Sequence, residues 1–292
     1  MKKNYIPFLL LSSLVVIAKP CKAQGLQQKA MTLCRFLEIN HYQPVQWNDS
    51  TSIRLYTRWM NILDDEKFFF CKTDIDQLQE YKTKLDDELL GKIKPAAGTS
   101  FFDKSIGLYK MRLKQVDSIS RDILKKPLDF SKPDNIHQPF ADYAATPAEL
   151  QQRWLKIIKW NVLREIATNS TDSTKSNTAP LKVPSDFATL ETNARKKQQH
   201  HFETLLKNIV GETGNLEKQL EEVYYGAISW CYDPHTNYMS MSSKKEFTTE
   251  LSGFEYSTGL DVNQNEDGNY ELSHLEPGGP AWRSGELHTG DI

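Results

Sequence analysis

Apolar residues recur at steps of three and four from about Leu26 to Leu251, the period of helices that each bury one face. The clearest stripe runs through Leu216, Leu220, Val223, Tyr224, Ala227, Ile228 and Cys231, with Glu217, Lys218, Glu221 and Glu222 on the opposite face. Such a stripe must be covered by other elements. Thr146-Pro147-Ala148-Glu149 combines a hydroxyl cap, a proline in the first turn and an acid three residues after the cap. It leads into Leu150, Trp154, Ile158 and Val162, so a helix is predicted to start there. Similar patterns cover Leu55 to Leu63, Ile75 to Leu89, Phe101 to Leu124 and Phe187 to Ile209. Together they predict about seven helices packed as an irregular α domain.

Two stretches depart from this period. Thr168 to Ala179 is almost entirely Ser, Thr, Asn and Asp, with little apolar area to offset the entropy of ordering it, and is predicted to be a mobile loop. The triplets Asn169-Ser170-Thr171 and Asn48-Asp49-Ser50 match a glycosylation acceptor, a pattern frequent by chance, and receive no function. After Leu251 glycine becomes common, at Gly259, Gly268, Gly278, Gly279, Gly285 and Gly290. Strand-like runs at 259–262 and 269–273 flank the turn signal Asn265-Glu266-Asp267-Gly268. The expected fold class is mainly α, an irregular helical domain over residues 24–251, followed by an incomplete α+β unit over 252–292. A stretch of that length is about half of what a small independent domain needs, and a sheet of two strands is marginal in water. The segment is therefore expected to be poorly ordered unless it packs on the helical domain.

Composition and charge then exclude several functions. Lys2 and Lys3, the apolar run Ile6 to Ala18 and the small-residue site Cys21-Lys22-Ala23 read as a secretory signal over residues 1–23. The run is shorter than the roughly 20 residues a membrane-spanning helix needs. Lys19 and Pro20 stand where a lipid-attachment motif wants small or apolar residues, so a lipid anchor at Cys21 is the less favoured reading. Removing the signal takes four lysines and no acid from a chain of formal charge −2, and what remains is no basic surface for nucleic acid. Cys34, Cys71 and Cys231 are an odd number without metal-ligand spacing, which favours buried thiols over a disulfide framework.

The candidate chemistry is sparse. His200 and His201 are neighbours on a helix, about 100° apart, and cannot form a metal pair. Asp233-Pro234-His235-Thr236 sets an acid beside a base, but after a helix it is first a chain-reversal signal. The carboxylates Asp64-Asp65-Glu66 and Asp86-Asp87 are expected to be solvated charge on helix faces or ends. No metal or cofactor site is assigned.

Three stretches resemble the tail-specific, or C-terminal processing, serine proteases. The first is Asn40-His41-Tyr42-Gln43-Pro44, followed by Trp59 to Asp64, Lys72-Thr73-Asp74-Ile75 and Leu85-Asp86-Asp87. The second is Glu149-Leu150-Gln151-Gln152-Arg153-Trp154 with Lys159, Val162 and Leu163. The most specific is Tyr232-Asp233-Pro234-His235-Thr236-Asn237-Tyr238. It is similar to the place where that family's helical domain passes into its PDZ domain. Beyond it, Glu250-Leu251-Ser252 and Ser257-Thr258-Gly259-Leu260 resemble the opening of the PDZ domain, with Ser257 in place of the family's first glycine. Glu276 to Ala281, Ser284 to Leu287 and Gly290-Asp291 are similar to its turn, short helix and next turn.

The resemblance implies an exported, periplasmic serine endopeptidase that acts on the C-terminal tails of exported or misfolded proteins, with an adaptor protein as a conceivable further partner. It implies that Ser257, Thr258, Gly259 and Leu260 bind a peptide carboxylate through successive backbone N–H groups. The family's catalytic serine and lysine lie in a domain after the PDZ domain, and no residue here matches either, so no catalytic residue is assigned. The alternative is a non-catalytic peptide-binding or scaffold fragment.

Overall fold

The computed structural model describes residues 25–135, 140–170, 185–210, 216–252, 257–265 and 269–292. The predicted signal at 1–23, most of the polar stretch after Ser170 and the turn residues 266–268 lie outside the described residues. Among the described residues the chain is mainly helical, as the mainly α reading predicts, with one two-stranded antiparallel sheet near the C-terminal end.

The helices are α1 (Leu26–Asn40), α2 (Asp49–Asp64), α3 (Lys72–Leu78), α4 (Leu85–Leu89), α5 (Phe101–Leu124), α6 (Pro147–Ser170), α7 (Phe187–Val210), α8 (Leu216–Trp230), α9 (Met241–Ser252) and α10 (Pro280–Ser284). Their starts follow from the sequence. The Asn48 side chain accepts the N–H groups of Ser50 and Thr51 at the head of α2, and Ser100 accepts that of Asp103 at the head of α5. At α6, Thr146 accepts from Glu149 N–H, and the Glu149 carboxylate reaches back to the N–H of Ala145. The first residues of the polar stretch, Thr168 to Ser170, are helical, because α6 runs through them.

Buried side chains gather into two clusters. The first holds Ala30 and Cys34 of α1, Leu55, Trp59 and Leu63 of α2, Leu85 and Leu89 of α4, and Tyr224 and Ile228 of α8. Its centre is aromatic. Trp59 lies edge-on to Tyr224 at 4.9 Å and packs on Phe102 at 5.6 Å, while its indole N–H donates to Ser105 Oγ at 2.9 Å. The second cluster holds Val116 and Leu124 of α5, Leu150, Trp154, Ile158 and Val162 of α6, and Ala194 of α7. Helix α5 belongs to both. Its first turns put Phe101, Phe102 and Ile106 into one cluster and its last turns put Val116 and Leu124 into the other, over a length of about 36 Å.

Three expectations need correction. The helix predicted over Ile75 to Leu89 is broken by a single 3-10 turn at Gln79–Tyr81 into α3 and α4. A tertiary contact sets the break: Asp86 N–H donates to Ser52 Oγ at 2.9 Å, and the Ser52 hydroxyl donates to Asp86 Oδ1 at 2.6 Å, tying the first turn of α4 to α2. Asp86 is thus buried rather than solvated. Asp64 is buried as well. Its carboxylate accepts the backbone N–H groups of Phe68, Phe69 and Phe70 at 2.6, 3.1 and 2.8 Å, which turns the chain so that Phe70 enters the first cluster and Cys71 the second. Burial raises the Asp64 pKa and those three N–H groups pull it back only in part. Asp65 and Glu66 remain exposed as expected. Glu250-Leu251-Ser252 form the last turn of α9.

Cys34, Cys71 and Cys231 are free, buried thiols. No helix of the described residues is long and apolar enough to cross a membrane.

Candidate functional site

The C-terminal part is built around strands β1 (Leu260–Gln264) and β2 (Tyr270–Leu275), paired antiparallel from Leu260 opposite Leu275 to Gln264 opposite Tyr270. An irregularity between Asp261 and Val262 shifts the register, and the Ser273 hydroxyl donates to Asp261 O there. Asn265 N–H donates to Asn269 O at 2.8 Å, closing the hairpin. The segment expected to be poorly ordered thus forms a hairpin, followed by α10. Leu272 and Ala281 are buried, whereas Val262 is 46% and Tyr270 66% exposed. Leu272 also bonds the chain beyond α10, donating to Asp291 O and accepting from Gly290 N–H, both at 2.8 Å.

Ser257, Thr258, Gly259 and Leu260 form the loop that enters β1, with the first two exposed and the last two half-buried. Gly259 has φ +75°, where a side chain is strained. The loop is held by its carbonyls: Thr258 O accepts from Ala281 N–H at 2.9 Å and Gly259 O from Glu276 N–H at 2.8 Å. Gly259 and Gly279 face each other. A Cβ on Gly259 would come within 3.3 Å of Gly279 Cα and of Glu276 Cβ. The sequence reading gave no role to Glu276 or Gly279 in shaping this loop; the only trace was the glycine pair Gly278-Gly279.

With the Thr258 and Gly259 carbonyls committed, the N–H groups are the donors left to the loop. One of these is already in use, since Gly259 N–H donates to Ser257 Oγ at 3.0 Å. The residue in place of a first glycine therefore supplies the oxygen that this N–H donates to. Among the described residues, β2 is the only strand paired with β1.

Upstream, the turn after α8 meets the turn after α1. The Tyr232 hydroxyl accepts from Trp47 Nε1 at 2.7 Å and donates to Cys34 O at 3.0 Å. Tyr42 donates to Asp233 Oδ2, and Asp233 Oδ1 accepts from the N–H of His235. His41 Nε2 and Thr236 Oγ1 are 3.0 Å apart. The Tyr42 hydrogen bond, then the His235 N–H, hold the Asp233 pKa down to about 2. Thr236 N–H closes the chain reversal on Asp233 O at 3.0 Å. The acid and base side by side at 233–235 are therefore parts of a turn, as the Asp-Pro signal indicates. His200 and His201 are exposed on α7.

Residues 33–242 match the family model described as the tail specific protease N-terminal domain. The chain is also similar to a tail-specific protease of Haemophilus influenzae, 27% identical over 258 residues. That alignment covers 87% of this chain and 33% of the relative, so the chain spans one third of the relative's length. The span matched by the family model ends within α9, before Ser257.

Proposed function

The chain belongs to the tail-specific protease family, and from that premise we propose that it is the substrate-recognition portion of an exported, periplasmic serine endopeptidase. In this reading an extended C-terminal tail of an exported or misfolded protein pairs with β1 on the side away from β2, and its terminal carboxylate meets the N–H groups of Ser257 to Leu260. The observation that carries it is the buckled loop: Gly259 at φ +75°, its carbonyl tied back to Glu276, at the start of β1. Export is supported by the basic, apolar and small-residue pattern of residues 1–23. Peptide cleavage belongs to the whole protein of this family, through the serine and lysine the resemblance implies.

The test is titration with an extended peptide ending in a free apolar residue and with its amidated counterpart. Weak binding lost on amidation is expected, weakened further by Gly259→Ala and strengthened by Ser257→Gly, which frees the Gly259 N–H. Equal binding of the two peptides, or indifference to Gly259→Ala, would sink the reading. The internal Ser257–Gly259 bond favours a second reading, a scaffold whose loop is a satisfied turn. That reading requires no response to Ser257→Gly.

A further inference from the structure

The outer face of α2 carries two rows of side chains, Ser50, Arg54 and Arg58 in one and Ile53, Thr57 and Asn61 in the other. With Trp230 at the end of α8 they line a shallow depression of about 340 Å³. The arginines here differ from others in the chain. Arg112, Arg121, Arg153 and Arg195 each hold a carboxylate of this chain. Arg54 instead donates through Nη2 to the carbonyl of Cys231 at 2.9 Å, and Arg58 lies over the Trp230 ring at 4.9 Å from its centroid. Among the described residues no carboxylate lies within ion-pair distance of either. Both guanidinium groups are thus oriented by partners that leave their charge uncompensated, on a chain whose formal charge is −2.

We infer that this depression is a docking site for an acidic peptide segment of a partner protein, a carboxylate side chain meeting Arg54 and Arg58 while an apolar neighbour lies on Trp230 and Ile53. A carboxylate suits the geometry, because Arg54 retains donors on Nε and Nη1 and each guanidinium presents paired N–H groups at an edge. The apolar wall distinguishes the ligand from a bare anion. Two arginines on an acidic chain do not make a nucleic-acid track, which requires many phosphate contacts. The site lies on the helical body and is independent of the loop at Gly259.

Calorimetric titration of the full chain with a short acetylated, amidated peptide rich in Glu and Leu tests this, with a Gln-for-Glu peptide as control. Saturable binding of the Glu peptide alone is expected, weakened about tenfold by Arg58→Gln, which removes a charge and its stacking. Arg58→Lys should fall between, since a lysine keeps charge without the planar stack. The double variant Arg54→Gln/Arg58→Gln should abolish binding, and Gly259→Ala should leave it unchanged. If losing the Cys231 contact unfolds the double variant, Arg58→Gln alone decides. Absence of binding, equal binding of the Gln peptide, or indifference to Arg58→Gln overturns the inference. So does displacement by inorganic phosphate at concentrations comparable to the peptide, which would mark a simple anion site.

Discussion

The phenol of Tyr42, two residues past the end of α1, donates a 2.5 Å hydrogen bond to the carboxylate of Asp233, 191 residues further along the chain. It fixes the turn after α1 to the turn after α8. Because the bond favours ionised Asp233, its contribution is present above the ordinary carboxylate pKa of 3.8 and is lost as pH falls towards about 2. Hydrogen exchange at His235 and Thr236 should therefore accelerate selectively over that window. In Tyr42→Phe the Asp233 carboxyl should titrate closer to its ordinary value when followed by NMR. A carboxyl still titrating near 2 would show that the tyrosine is not the cause.

Glu88 gives the opposite sign. It is buried in α4, accepts Phe101 N–H at 3.3 Å, and burial raises its pKa to about 7. The folded state binds this proton more tightly than the unfolded one, so stability is greatest below the unfolded value of 4.5 and falls as pH rises towards 7. A decline on the order of 3 kcal/mol across that window is expected from this group. Glu88→Gln keeps an acceptor without the charge and should flatten the decline in denaturant melts. An unchanged slope would exclude Glu88 as its source.

Asp74 and Arg112 form a buried pair linking α3 to α5, with Nε to Oδ2 at 2.7 Å and Nη2 to Oδ1 at 3.0 Å, while Asp74 also accepts Cys71 N–H. Removing one partner strands the other charge. Arg112→Met should cost about 3–5 kcal/mol, and the double variant Asp74→Asn/Arg112→Met less than Arg112→Met alone. A double variant as unstable as the sum of the two single variants would show that the two groups are not coupled.

Ile228 is fully buried on α8. Ile228→Asp should unfold the helical body, and Ile228→Ala should cost about 3 kcal/mol. Since α5 enters both clusters, the Ala variant should lower the melting temperature in one transition by near-UV and far-UV dichroism alike. Two separated transitions would mean that the clusters melt independently.

The periodic stripes made most helices legible, because Leu55, Trp59 and Leu63 or Leu150, Trp154 and Ile158 repeat at steps that only a helix puts on one face. Buried polar groups were not legible. Asp64, Asp74 and Asp86 look like surface charge in sequence, since their partners are backbone N–H groups, an arginine 38 residues away and a serine 34 residues away. Several residues that carry the family resemblance, Trp59, Asp64, Asp74, Asp86 and Trp154 among them, are buried and hold the architecture. The loop at Gly259 could be located from its glycine, but its occupied N–H could not, because a serine reads as a polar substitution until its hydroxyl is placed.

Helix α5 also sets a limit on how this sequence can drift. Its two ends face different clusters, and the angle between those faces is fixed by the number of residues separating Ile106 from Val116. One residue inserted between them would rotate one end by about 100° relative to the other. Either Phe101 and Phe102 or Val116 and Leu124 would then swing towards solvent. Length changes should therefore be accommodated in the connections between helices, while this stretch keeps a constant residue count even where its side chains vary.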